Sequence, residues 1–154
     1  MPKEKSAGAI IFRREDGKIY YLVLRYIPGH WEFARGHVEK GESEEETVKR
    51  EVFEETGLKD IKLLPGFREY SKFFFRQYRK NVTEADRKKG KTPWVFKLVI
   101  YYLAETKTKQ ISLSKENTAF LWLPIDEAIK RTTHKNAKAL LAKANEFVLS
   151  RKSL

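Results

Sequence analysis

The chain has 154 residues, which suits a single domain over residues 1–154 with one hydrophobic core. Hydrophobic residues make up 41% and aromatic residues 13%, which excludes a disordered or fibrous protein. The absence of cysteine excludes disulfides, thiolate metal sites and cysteine nucleophiles, and it favours a reducing compartment. No segment resembles a signal peptide or is long enough to span a bilayer. We therefore expect a cytoplasmic protein with no membrane partner.

The chain is strongly basic. Lysine and arginine total 32 against 21 acidic residues, which gives a formal charge of +11. Such a surface attracts polyanions, which include nucleotides, RNA, DNA and acidic membranes. Charge alone does not choose among these partners, and a merely solvated lysine-rich surface accounts for it equally well.

The N-terminal segment predicts a β-hairpin. Apolar, β-branched residues predict strands over residues 6–12 and 20–26, and the Asp16-Gly17 pair between them is a strong turn signal. Residues 31–40, which carry Gly36, are predicted to form a loop or an irregular strand.

A helix is predicted over residues 43–56. Ser43 and Glu46 have the spacing of a capping box, in which each side chain bonds the other residue's backbone. Gly57 follows the last helical residue and can adopt the left-handed conformation that ends a helix.

The rest of the chain mixes strands with helices. Strands are predicted over residues 61–65, 68–78, 94–104 and 120–123, and helices over residues 125–131 and 136–149. The very basic segment 79–92 is predicted to be a long hairpin loop. The last helix has an apolar stripe that is typical of core packing, formed by Ala137, Leu140, Leu141, Ala144, Phe147 and Val148. The pattern predicts an α+β fold with a mixed β-sheet between helices.

Three carboxylates of the first helix are expected to lower its stability, so stability does not explain their presence. Glu51, Glu54 and Glu55 stand at i, i+3 and i+4 and therefore share one face, where like charges cost roughly 0.2–0.5 kcal/mol per pair. They also lie towards the helix C-terminus, where the helix dipole disfavours negative charge. Clustered carboxylates suit a hard divalent cation such as Mg²⁺, and two such cations can clamp an in-line phosphoryl displacement. The alternative is a solvated acidic face.

The segment around these residues carries a specific motif. Residues 36–58 read GHVEKGESEEETVKREVFEETGL. Every fixed position resembles the Nudix box, G-x5-E-x7-R-E-U-x-E-E-x-G-U, in which U is a bulky aliphatic residue. The resemblance implies a Nudix-type α/β/α sandwich and a metal-dependent hydrolase that cuts phosphoanhydride bonds in nucleoside diphosphate-linked substrates.

The resemblance also implies roles for individual residues. Glu51, Glu54 and Glu55 correspond to metal ligands, with Mg²⁺ expected and Mn²⁺ as the alternative. The carbonyl of Gly36 is a further ligand in the family. Arg50 corresponds to the arginine that holds a neighbouring carboxylate as a bidentate fork, and we expect Glu42 to be a supporting carboxylate.

Further stretches carry a closer resemblance. They are residues 8–14, Trp31 with residues 35–39, residues 99–105, 113–116 and 120–123, and the terminal helix. In their order and spacing they resemble the asymmetrical diadenosine tetraphosphate hydrolases of the Nudix family. The resemblance implies cleavage of diadenosine tetraphosphate to ATP and AMP, by water attack at one end of the phosphate chain.

Two departures from that family pattern affect the expected site. The family sequence before the motif, Trp-x-Pro-Pro-Lys, is here Trp31-Glu32-Phe33-Ala34-Arg35. Arg35 keeps a phosphate-binding cation, but the lost prolines change how rigidly the strand presents it. The hairpin over residues 73–97 is longer than the family's, and its basic and aromatic residues suit either an oligonucleotide or a solvated loop.

Several residues outside the motif are candidates for the site. The family often places a general-base glutamate on the loop before the last core strand, and by this resemblance Glu116 is a candidate general base, with a surface-loop glutamate as the alternative. His37 and Lys40 are candidates to touch phosphates. The candidates to stack on adenine are Tyr70, Phe75, Tyr78 and Tyr102, although strand alternation lets only one of Tyr101 and Tyr102 face the cleft.

Three functions therefore compete. In the leading hypothesis, the phosphates of a dinucleoside polyphosphate bind between the acidic helix and Arg35. A second is another Nudix activity, such as removing pyrophosphate from the 5′ end of RNA held by the basic hairpin. A third is a catalytically idle nucleotide or RNA sensor, which the intact carboxylate set argues against. The sequence leaves the oligomeric state open.

Overall fold

The structure is a computed structural model that describes residues 3–27, 29–76 and 94–151, with residues 3 and 74–76 described by their backbone only. Strands β1, Lys3–Glu15, and β2, Lys18–Tyr26, form an antiparallel hairpin in which Glu15 pairs with Lys18. Asp16 and Gly17 have φ angles of 52° and 76°, as a two-residue hairpin turn of this hand requires. The predicted turn is confirmed, and both strands are longer than predicted.

Strand β1 is the centre of a mixed sheet. It pairs in parallel with β6, Trp94–Glu105, and antiparallel with both β2 and β4, Ala34–His37. Two shorter strands, β3 at Trp31–Glu32 and β7 at Asn117–Leu123, pair with β2. The predicted irregular segment 31–40 is thus two short strands.

Strand β5, Lys62–Arg76, pairs antiparallel with β6 at the sheet edge. The prediction of two separate strands over residues 61–65 and 68–78 was wrong in this respect. The register shifts between Leu63 and Arg68, where Gly66 has a φ of 96°. The intervening residues leave the ladder while both flanks keep their pairing with β6, so one strand with an irregularity replaces two. The predicted end of this strand beyond residue 76, and the loop 79–92, lie outside the described residues.

Helices cover both faces of the sheet. Helix α1, Glu44–Thr56, packs Val48 and Val52 on one face of β1, against a cluster that includes Ile11. Helices α2, Ile125–Arg131, and α3, Lys135–Ser150, pack on the other face. The predicted apolar stripe of α3 lies in that second cluster, with Phe147 partly buried at its edge. The expected α/β/α sandwich with a mixed sheet is confirmed.

The ends of α1 are set by local sequence. The capping box of Ser43 and Glu46 is formed, and Gly57 closes the helix with a φ of 76° while its N–H bonds the Phe53 carbonyl. Both predictions are confirmed. None of the described helices is both long and apolar enough to cross a lipid bilayer.

A cluster around Glu44 ties the N-terminus of α1 to the sheet. Arg68 donates to both oxygens of Glu44 at 2.9 Å, Tyr102 donates to Oε1 at 2.8 Å, and the Lys5 ammonium lies 2.6 Å from Oε2. Arg68, together with Lys5 and Tyr102, lowers the pKa of Glu44 from 4.5 to about 2. The three donors come from β5, β1 and β6, so this carboxylate joins the helix to three strands.

We predict that Glu44→Gln lowers the free energy of unfolding by about 1–2 kcal/mol at pH 7, because charge-assisted hydrogen bonds are lost. The folded-state pKa lies below the unfolded value, so the contribution is present above pH 4.5 and fades as the pH falls towards 2. Urea unfolding across this pH range measures it. Glu45→Gln, in the same turn but exposed, is the matched control. A pH-independent difference between wild type and Glu44→Gln would contradict the assignment.

Candidate active site

Strand β4 and helix α1 bring Gly36 and Glu51 together. A Cβ atom built on Gly36 would collide with the carboxylate of Glu51. Any larger residue at position 36 would require the Glu51 carboxylate to move. The contact places the backbone of β4 and a helix carboxylate in the same small region.

Arg50 organises the carboxylates around that contact. Its Nε and Nη2 atoms donate to the two oxygens of Glu42, at 2.7 and 2.9 Å, which is the bidentate fork that the sequence predicts. Nη1 donates to Glu51 at 2.7 Å and lies 3.4 Å from Glu54, and Nη2 also donates to the His37 carbonyl at 2.9 Å. Glu42 accepts further bonds from Thr47 and from the Glu39 amide, so both of its oxygens are already engaged by protein donors.

Glu55 is a buried carboxylate, with 3% of its surface exposed. Oε2 accepts the backbone N–H of Arg35 at 2.8 Å, and Oε1 accepts the Tyr26 hydroxyl at 2.7 Å. Burial raises its pKa to about 7, and the charges of Glu51 and Glu116 act in the same direction. An ionised Glu55 is thus destabilised by its surroundings and would be stabilised by an added cation.

Glu54 and Glu116 complete the acidic set. Glu54 has 53% of its side chain exposed and is held only loosely by Arg50. Glu116 lies in the turn before β7, where its carbonyl accepts the Ile27 N–H at 3.2 Å and its own N–H donates to Ser114. It borders the same cavity as Gly36 and Glu51. The structure therefore brings the predicted general base to the acidic helix.

These groups fit a hard divalent cation. Burial raises the pKa of Glu51, and Glu54 and Glu116 raise it further, so negative charge is concentrated here. All the candidate donors are oxygen atoms, which Mg²⁺ prefers. Among the described residues, no three acidic or histidine side chains already converge as a metal-holding group. Instead, the Glu51 carboxylate accepts a hydrogen bond from Arg50, and the Glu55 carboxylate accepts one from Tyr26.

Two cavities meet beside this acidic set. One of about 390 Å³ contains Gly36, Glu51 and Glu116, and one of about 560 Å³ extends from it towards α3. Three basic residues, His30, Arg35 and Lys97, border both cavities and so mark where they join. The result is one cleft with carboxylates at one end and cations in the middle, which suits a phosphate chain bound through a divalent cation.

The Arg35 side chain lies at that junction. Its Nη1 atom is 2.5 Å from Oε2 of Glu32, and its guanidinium carbon lies 6.0 Å from the centre of the Tyr26 ring. The ring of Tyr26 in turn stacks on His30, with centroids 5.3 Å apart. The predicted cation is therefore in the cleft, but an acidic residue that the sequence did not single out holds it.

Only some of the other predicted substrate residues lie at the cleft. His37 borders the acidic cavity and Lys40 is exposed in the following turn. Tyr102 lies on the α1 side of the sheet, bonded to Glu44, and it lines neither of the two cavities. Tyr70 is exposed and borders a separate cavity beside α3. Phe75 is described only by its backbone, which pairs with Val95, and Tyr78 lies outside the described residues.

Sequence reasoning missed several residues of the cleft, among them Tyr26, His30, Glu32 and Lys97. One signal was available for Glu32, which is an acidic residue between two large apolar ones, Trp31 and Phe33. Strand alternation would have placed Lys97 beside Val99, on the cleft side of β6. Tyr26 and His30 could be recognised only from the three-dimensional pairing of β2 with its neighbours.

We predict that Arg50→Lys weakens Mg²⁺ binding by about 10- to 100-fold, as loss of groups that orient ligands typically does. Lysine keeps the charge but cannot bond Glu42 bidentately while reaching Glu51. Isothermal titration with Mg²⁺ measures the affinity. Lys49→Ala, an exposed neighbour on the same helix, should bind Mg²⁺ like wild type. Equal affinities in Arg50→Lys and wild type would show that the carboxylates hold their orientation without the fork.

Comparison with known proteins agrees with this geometry. The sequence matches the NUDIX domain over residues 2–144. The asymmetrical bis(5′-nucleosyl)-tetraphosphatase of Rattus norvegicus is 35% identical over 156 residues, covering 95% of this chain and 96% of the rat protein. The crystal structure of a C. elegans Ap4A hydrolase binary complex superposes with a TM-score of 0.76 at 27% identity, covering 96% of this chain and 99% of that one.

A shorter match is to a protein with a different activity. An RNA pyrophosphohydrolase of Proteus mirabilis is 36% identical over 70 residues, or 44% of this chain and 39% of that protein. Hydrolases with this domain depend on divalent metal ions. On the match to the domain and on the full-length relatives, the chain belongs to the NUDIX domain family and is a Nudix hydrolase.

Proposed function

We propose that this enzyme hydrolyses diadenosine tetraphosphate asymmetrically, to ATP and AMP. The observation that carries the proposal is the single cleft that runs from Glu51 and Glu116, past Arg35 and Lys97, into the larger cavity beside α3. A linear polyphosphate with a nucleoside at its end fits this order, with a metal-bound phosphate at the carboxylates, further phosphates at the basic residues and the nucleoside in the larger cavity. Similarity to asymmetrical tetraphosphatases over nearly the whole chain supports the same substrate.

The carboxylates of α1 are proposed to hold the metal. Glu51, Glu54 and Glu55, with the carbonyl of Gly36, would bind Mg²⁺, and Mn²⁺ is the alternative. The bound cation supplies electrostatic stabilisation of charge that develops on the phosphate chain. Arg50 keeps Glu51 and Glu54 on one side of the helix through the contacts described above.

Glu116 is proposed as the general base. Its carboxylate is exposed at the cleft, so it can reach a water molecule that approaches the terminal phosphate. The turn that carries it is tied to β2 through the Ile27 N–H, which limits how far it can move. After attack, Glu116 would hold the proton of the water, and the leaving polyphosphate would depart towards the basic part of the cleft.

The basic residues of the cleft are proposed to neutralise the phosphate chain. Arg35 and Lys97 lie where the two cavities join, and His37 and Lys40 are proposed to reach the same phosphates from the loop before α1. Phe73, which lines the larger cavity, is proposed to contact the base. Charge stabilisation of this kind is commonly the largest catalytic contribution in phosphoryl transfer.

Other predictions remain proposals. They are a single domain over residues 1–154 and a cytoplasmic location. For the basic segment within residues 76–91, most of which lies outside the described residues, RNA binding is the alternative to a solvated loop. The catalytically idle sensor is disfavoured, because the enzyme keeps the complete acidic set.

Product analysis in Mg²⁺ tests the proposed reaction. Diadenosine tetraphosphate should give ATP and AMP, and in water labelled with oxygen-18 the label should enter AMP under single-turnover conditions. Triphosphorylated RNA and nucleoside triphosphates are the comparison substrates, and we expect much lower kcat/KM with them. Formation of two ADP molecules, or faster cleavage of RNA, would contradict the proposal.

Glu54→Gln and Glu55→Gln should each lower turnover by about 100-fold or more, because each removes a carboxylate that is proposed to bind the metal. The fold should be retained, since each change also removes repulsion from the helix face. Steady-state rates and thermal melting measure both effects. Glu45→Gln makes the same substitution on an exposed residue of the same helix and should leave turnover unchanged. Wild-type rates in both site variants would remove Glu54 and Glu55 from the assigned site.

A further inference from the structure

We propose that Glu32 is a positioning residue, whose buried carboxylate fixes the direction in which the Arg35 guanidinium faces the phosphate chain. The inference rests on the proposed function, because it assigns Arg35 to that chain. Glu32 itself would touch neither the reacting phosphorus nor the metal.

The contacts of Glu32 show how it is held. The residue is buried, with 7% of its surface exposed. The hydroxyl of Tyr101 donates to its Oε1 at 3.1 Å, while Nη1 of Arg35 and, at 3.7 Å, Nε2 of His30 face its Oε2. Tyr101 is fixed in turn by the ring of Phe33, edge-on at 5.7 Å. One oxygen is therefore anchored in the core and the other is turned to the cleft.

Arg35 is consequently held at both ends. Its backbone N–H donates to Glu55 at 2.8 Å, and its guanidinium pairs with Glu32. A long, flexible side chain gains a defined direction only when its end is bonded. The two bonds connect the proposed metal-binding carboxylate to the cation that faces the polyphosphate.

Charge explains why an acid is needed at this position. Burial lowers the pKa of Lys97, and the positive charge of Arg35 lowers it further, as expected for two like charges that border the same cavities. The pKa of His30 is likewise lowered, by burial first and then by Arg35 and His134, against the opposing effect of Glu32. Without Glu32, Arg35 would turn away from Lys97 and His30 towards solvent.

The proposal predicts that Glu32→Gln lowers kcat without raising KM. Glu32→Gln makes the cleft more positive, so KM for diadenosine tetraphosphate should stay level or fall. The misdirected guanidinium should lower kcat by about 10- to 100-fold, as small misplacements of catalytic groups do. A general loss of structure would not lower KM.

A double-mutant cycle tests whether Glu32 acts through Arg35. The effect of Glu32→Gln on kcat should shrink to about twofold or less when Arg35 is already alanine, because coupled residues are not additive. Tyr101→Phe removes only the hydroxyl that anchors Glu32, and it should reproduce a smaller version of the same kcat effect. An equal loss of kcat from Glu32→Gln in both backgrounds would overturn the proposal.

A second measurement does not depend on the substrate. The nitrogen-15 order parameter of the Arg35 Nε–H bond, measured by NMR without nucleotide, should fall in Glu32→Gln and stay unchanged in Glu45→Gln. If wild type fails to cleave diadenosine tetraphosphate while this parameter falls, the proposed substrate is wrong and the positioning role stands. An unchanged order parameter in Glu32→Gln would overturn the positioning role itself.

Discussion

The active site depends on the ability of one guanidinium to hold several carboxylates that repel one another. Arg50 bonds Glu42 and Glu51, approaches Glu54 and also bonds the His37 carbonyl. These contacts link the helix to the loop that leads into it. Gly36 of strand β4 lies against the Glu51 carboxylate that Arg50 bonds, so the strand and the helix meet at this side chain. The concentrated negative charge is therefore kept in one arrangement before a cation binds.

Local chemistry explains which parts of the fold could be predicted from the sequence. The Asp16-Gly17 turn and the capping box of Ser43 and Glu46 each satisfy backbone groups within a few residues, so their signals are complete in the sequence. The irregularity of β5 was not predictable in the same way. The sequence predicted a break at residues 66–67 between two strands, but β6 pairs with both flanks and keeps them in one strand. That outcome depends on a partner distant in sequence.

The same distinction applies to the site. Glu51, Glu54, Glu55 and Gly36 lie within one motif, and the sequence predicted their grouping. Tyr26, Glu32 and Lys97 come from three different strands, and only the sheet brings them to one cleft. Alternation along β6 correctly separated Tyr101 from Tyr102, yet neither ring lines the described cleft. Tyr101 is buried and bonds Glu32, and Tyr102 bonds Glu44 on the other face. The role of an aromatic residue on a strand can be assigned only when its neighbours in the structure are known.

The strand that presents Arg35 lacks the prolines of the related sequences, and its rigidity has a different origin. Phe33 is buried, its ring packs edge-on against Tyr101, and its carbonyl lies 3.0 Å from the Tyr26 hydroxyl. That hydroxyl also bonds Glu55. Buried polar groups such as these are stable only when their partners are all in place. The bonds that make the strand rigid therefore include the residues of the site, whereas prolines would stiffen the backbone independently of them. Any substitution that loosens this strand should displace Arg35 and Glu55 together.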